Sequence, residues 1–189
     1  MSNPAEKFDH GTRASLHDEL DQALDAFHQL LDGASPADLH RGTVGTRWTN
    51  EQLLFHMLFG YLIVRTLLPL VRTVSHLPPA ASAAFATGLD AAHRPFHVVN
   101  YLGSCGGAIV FNHHRMAAKA DRVVAALHRQ LDAETDDDLA RGMHFPPRWD
   151  PYFGDWMSVR DVYHYGTVHF QAHQRQLTLR QPTEPQPTT

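Results

Sequence analysis

One cysteine, Cys105, stands in a chain of 189 residues. No disulfide can form within it, and a reducing cytoplasm is the expected setting. An excess of basic charge is missing too: 16 Lys and Arg face 20 Asp and Glu, for a net charge of −4. That balance excludes the basic footprint of a nucleic-acid-binding domain. Residues 1–7 hold no apolar signal core, and the longest apolar run, around 53–70, is broken by His56, Tyr61 and Arg65. It reads as too polar for a membrane span, so no membrane partner is expected. There is no internal repeat and no alternating run that reads as a strand. With 43% hydrophobic residues, the chain can bury one sizeable core. Residues 12–179 are expected to form that domain, between a flexible N-terminus (1–11) and a proline-rich, disordered tail (180–189).

What the chain has in plenty is histidine, 15 in all, so only those in a telling position carry weight. Helical periodicity is the dominant pattern. Leu16, Leu20, Leu24, Phe27 and Leu31 recur on one face of a first helix (12–32) that ends at Gly33. Thr49 and Gln52 form a capping box for a second helix, expected over 50–75, with a kink or early end at Pro69. Its core stripe runs Leu53, His56, Phe59, Gly60, Ile63 and Leu67. Residues 76–106 read as a loop with one short helix (80–92), followed by a glycine-eased connection. A third helix is expected over 108–133, with Ile109 and His113 on its core stripe. Ser158 and Asp161 start a fourth, running to residue 179. The predicted architecture is all-α: a four-helix bundle with one or two short extra helices. The acidic run 134–138 reads as a solvated loop. The aromatic stretch 142–156 reads as a pocket wall or as a plug over a bundle end.

The chemistry concentrates in the fourth helix. At about 100° per residue, His169 and His173 lie about 40° apart on one face, the spacing at which two imidazoles chelate one divalent ion. His56, on the buried stripe of a facing helix, is the natural third ligand. Three neutral imidazoles leave such an ion its full charge and an open position, which is the donor set of a catalytic rather than a structural site. Zinc is the first expectation, with nickel, iron or manganese as alternatives. Gln176, about one turn beyond His173, is placed to orient a ligand or to support the metal-binding histidines, and Trp149, Tyr152 and Phe153 to line a pocket. His113 is a candidate fourth ligand or supporting residue, or a plain core histidine. A di-iron bundle is disfavoured: Asp25 and His164 lie off the core stripes, and no bridging glutamates stand on the second or third helix.

Two separated motifs, WTNEQLLFH ending at His56 and His169-x-x-x-His173-x-x-Gln176, resemble the DinB-like superfamily of four-helix metalloproteins. That superfamily includes thiol-dependent transferases and a mycothiol-dependent maleylpyruvate isomerase. The resemblance spans residues 12–179 and implies metal ligands at His56, His169 and His173. It also implies a low-molecular-weight thiol as co-substrate and a small electrophilic molecule as substrate, with thiol transfer, isomerisation or hydrolysis as the reaction. Despite the family name, no contact with DNA is expected. The non-enzymatic alternative is a metal-stabilised bundle that binds a small ligand or dimerises; a homodimer is the expected oligomer.

Overall fold

A computed structural model describes residues 11–180. The expectations for the two termini fall almost wholly outside them. In chain order the elements are α1 (Arg13–Gly33), α2 (Pro36–Leu39), α3 (Asn50–Val74), α4 (Pro79–Ala91), α5 (His93–Val110), α6 (His113–Asp132), α7 (Asp136–Ala140), β1 (Gly142–His144), β2 (Trp156–Ser158) and α8 (Val159–Gln174).

Local chemistry sets where the long helices begin. Thr12 accepts the Ser15 N–H at the start of α1, while Thr49–Gln52 and Ser158–Asp161 close reciprocal capping boxes at α3 and α8. Each such cap is worth about 1 kcal/mol. Along α1, α3, α6 and α8 the apolar positions then recur on one stripe, and the four stripes can be buried only against one another. The packing closes a ring: α3 lies against α8 and α6, and α1 against α6 and α8. Leu20 and Phe27, Leu58 and Tyr61, Met116 and Leu127, and Val162 and Phe170 meet at its centre. The chain is an all-α four-helix bundle.

Outside this ring the short helix expected over 80–92 is α4, but other parts depart from the sequence reading. Residues 93–107 are not a connection but most of α5, an 18-residue helix packed on α3. Pro95 is tolerated because it sits in the first turn. The third bundle helix accordingly starts at His113, and Ile109, 82% exposed, lies off the core. The acidic run carries α7, capped by a Thr135–Asp138 box, and Glu134 is buried against Arg72 rather than solvated. The stretch 142–156 contributes strand β1, and the following β2 pairs with it antiparallel, Met143 opposite Met157. Helix α3 runs through Pro69 to Val74 without an early end, and α8 stops at Gln174, short of residue 179. By length and composition α3 is apolar enough to cross a membrane, contrary to the reading of the 53–70 run. In the fold it is a core helix of the bundle, with over half of that apolar window buried.

Candidate metal centre

Two helices bring the three histidines together, and two small residues let those helices approach. A Cβ on Gly60 of α3 would fall 2.6 Å from Nδ1 of His169, and one on Gly166 of α8 would fall 2.7 Å from the Tyr61 ring. With hydrogen at both positions, the His169 ring lies directly on the α3 backbone. The far end of α8 is tied down separately. Buried Asn50 donates to Asp38 O (2.7 Å) and to Thr178 Oγ1 (2.9 Å), and its Oδ1 accepts the Thr178 N–H (2.9 Å). The Val44 N–H donates to Gln176 O (2.9 Å), so the 42–48 loop holds the same segment from the other side.

Between these anchors, donor nitrogens of His56, His169 and His173 all lie within 4.8 Å of one another. Hydrogen bonds assign the tautomers of two of the rings. The Ser104 hydroxyl donates to Asn100 O (2.8 Å), so its oxygen accepts from His56 Nδ1–H (3.1 Å). Gln176 Oε1 can only accept, and it takes His173 Nδ1–H at 2.7 Å. The Nε2 atoms of His56 and His173 are thereby both left with bare lone pairs, 3.2 Å apart. Two nitrogens on one tetrahedral zinc would stand about 3.3 Å apart, given Zn–N bonds of about 2.05 Å. Buried His169 adds an Nδ1 with no hydrogen-bond partner. Face-to-face lone pairs in a buried site are costly unless a cation fills the space between them. The residues fit a divalent metal.

Electrostatics act in the same sense. Burial pushes the His56 pKa down to about 3, with the neighbouring His173 adding to the effect. Burial first, then His56 and His173, holds His169 well below the usual range. His173 is lowered by burial, against the opposing pull of Gln176 and Asp150. All three rings stay neutral, as ligation requires. The Trp48 indole packs on His56, ring centroids 4.3 Å apart.

A cavity of about 190 Å³ opens beside the triad, with His56 and His169 in its wall. Of the three aromatic residues expected to line a pocket, Trp149 and Phe153 line this cavity, while Tyr152 does not and is 43% exposed. Gln176 lies past the end of α8 and folds back on His173. His113 is brought elsewhere: its backbone N–H and Nδ1 both face Glu51 Oε1, at 3.1 and 3.4 Å, so it neither joins the triad nor sits in the core. Sequence reasoning missed Ser104, on a helix it did not foresee, and Asp150. The Asp150 carboxylate faces the same cavity, taking the Tyr165 hydroxyl and the Tyr152 N–H, each at 2.9 Å. Burial raises its pKa, and the hydrogen bonds from the Tyr152 N–H and the Tyr165 hydroxyl oppose the rise. Tyr165, one turn before His169 on α8, is the residue that reaches Asp150.

A model of the DinB superfamily matches residues 19–177. The chain belongs to the DinB superfamily. No curated protein and no solved structure matches it. The match takes in both helices of the triad and the 76–106 segment, so α4 and α5 sit inside the DinB domain rather than appended to it. DinB-like proteins bind metal, and the three-histidine cluster is where this chain holds the donors to do so.

Proposed function

We propose that the chain is a divalent-metal-dependent enzyme of the DinB type. It would transform a small, mostly apolar electrophilic molecule, with a low-molecular-weight thiol or water as nucleophile. The observation that carries this reading is the pair of bare Nε2 atoms of His56 and His173, 3.2 Å apart, with His56 and His169 in the wall of a cavity. An ion held there supplies Lewis acidity and lowers the pKa of a thiol or water at its open position. The rest falls to the chain's own residues. Ser104 and Gln176 keep two imidazoles in the ligating tautomer. Phe96, Trp149 and Phe153 give the substrate an apolar wall and exclude water. Asp150, fixed by Tyr165 and the Tyr152 N–H, is placed to accept and return a proton at the substrate. Support over the non-catalytic alternative comes from the donor set: among the described residues the group has three members, and His113 is engaged with Glu51.

The test is metal content by elemental analysis, followed by a screen of electrophiles with and without thiols. About one equivalent is expected in the wild type, lost in His56→Ala, His169→Ala and His173→Ala. Turnover that requires thiol would identify a transferase or isomerase, and turnover without it a hydrolase. Metal retained in all three variants would overturn the site. Metal lost on schedule but no turnover with any pair would leave the non-catalytic bundle.

A further inference from the structure

A cavity larger than the one beside the histidines opens elsewhere in the fold. It is a polar cleft of about 590 Å³ at the other end of the bundle. On α3, the helical rise separates His56 from Arg72, in the cleft wall, by about 24 Å. Arg65 and Arg72 of α3, Arg129 of α6 and Arg141, just beyond α7, all line it, with His76 at the rim.

Two of these four guanidinium groups are answered within the protein. Arg72 pairs with buried Glu134, and Arg141 lies 3.4 Å from Asp138. Arg65 and Arg129 have no hydrogen bond or ion pair among the described residues, yet both face the same hollow. The C-terminal ends of α3 and α6 help draw Arg72 and Arg129 to this end of the bundle, but that attraction leaves the N–H forks of Arg65 and Arg129 unfilled. The buried Nε–H of Arg72, a residue of the wall, also lacks an acceptor. A guanidinium presents paired N–H groups in a plane matched to carboxylate and phosphate oxygens. Two such forks on facing helices, over a floor whose other cations are already neutralised, select a ligand with two anionic groups.

We infer that this cleft binds a small polyanion of metabolite size, through phosphate or carboxylate oxygens held by Arg65 and Arg129. The site is separate from the histidine triad and does not depend on it.

Calorimetric titration of the full chain with inorganic pyrophosphate, and separately with citrate, tests this at low salt. Saturable 1:1 binding of either is expected, weakening as salt is raised; which probe binds more tightly tells phosphate from carboxylate. Arg65→Gln/Arg129→Gln should weaken binding by about tenfold or more, while Arg65→Lys/Arg129→Lys, which keeps charge without the fork, should recover part of it. Both arginines are exposed, and thermal melting would confirm that the variants fold. Binding in His173→Ala should match the wild type. The inference fails if neither probe binds, if the double glutamine variant binds like the wild type, or if His173→Ala abolishes binding, which would put the anion on the triad.

Discussion

At the scale of single residues, the metal centre depends on atoms that touch no metal. Ser104 and Gln176 each hold the outer nitrogen of a histidine. Removing such a support typically costs 10–100-fold in metal affinity. Ser104→Ala and Gln176→Ala should therefore keep the fold and lose affinity by about that factor in a chelator competition, whereas loss of a histidine should abolish binding. Gly60→Ala should be harsher than its size suggests, because the new methyl would occupy the space of the His169 ring. Protonation follows from the same burial. The three histidines have folded pKa values below the unfolded value of about 6.5. The unfolded chain thus binds more protons as pH falls below that value, and the metal-free protein should lose stability from there downward, toward the His56 pKa of about 3. His164 acts in the opposite direction. Its Nδ1–H donates to Glu19 at 2.8 Å, and that hydrogen bond, with the carboxylate's charge, raises its pKa against the effect of burial. Its contribution is complete below the unfolded value and is lost as pH rises through the folded one. Glu19→Gln should remove that part of the pH dependence, about 1 kcal/mol or less, in urea melts run at a series of pH values.

Among the elements, the seams matter most. Asn50, wholly buried at the first residue of α3, makes three hydrogen bonds: one to Asp38 of α2, and two with Thr178 that tie the segment after α8 back to the start of α3. Asn50→Ala leaves the Asp38 carbonyl and the Thr178 groups without it. About 2–4 kcal/mol should be lost in denaturant unfolding, with metal affinity falling as His173 loosens. The α1–α6 seam holds a second histidine pair. His17 and His128 have parallel rings, their centroids 4.9 Å apart, and Nδ1 atoms only 2.6 Å apart. Those values require the rings to lie end to end in one plane, not face to face. Two bare lone pairs would repel at that distance, so one Nδ1–H must donate to the other, with Asp132 and Asp21 holding the outer nitrogens. A far-downfield, slowly exchanging proton resonance is expected, absent in His17→Gln. The bundle helices were legible in the sequence because their caps and apolar stripes are local: Thr49 with Gln52 and Ser158 with Asp161 marked two starts correctly. Helix α5 was not, because Gly103, Gly106 and Gly107 argue locally for a connection, while packing on α3 overrides that propensity. The triad was legible because His56 lies on a buried stripe and His169 and His173 one turn apart. His113 misled because its stripe was counted from a helix start five residues too early. Asp150 stayed hidden because it comes from a loop, where no periodicity tells which way a side chain points.

For the whole molecule, a metal would be a clamp between α3 and α8, the first and last long helices to border the cavity. At a free-metal concentration about a thousandfold above Kd, binding adds about 4 kcal/mol to stability. For a chain of this size that corresponds to a rise in Tm of about 8–16 °C. Chelator treatment should reverse the rise in the wild type and do nothing to His56→Ala. The ligands also lie far apart in the chain: 117 residues separate His56 from His173. At about 5–20 residues per second, His56 waits roughly 6–23 s during synthesis before its partner exists. Until then a growing chain holds only one of the triad's three imidazoles, and the site for the ion is not yet built. Metal selection falls to the finished bundle, whose tautomers and spacing are already set, rather than to whichever ion meets the nascent chain first.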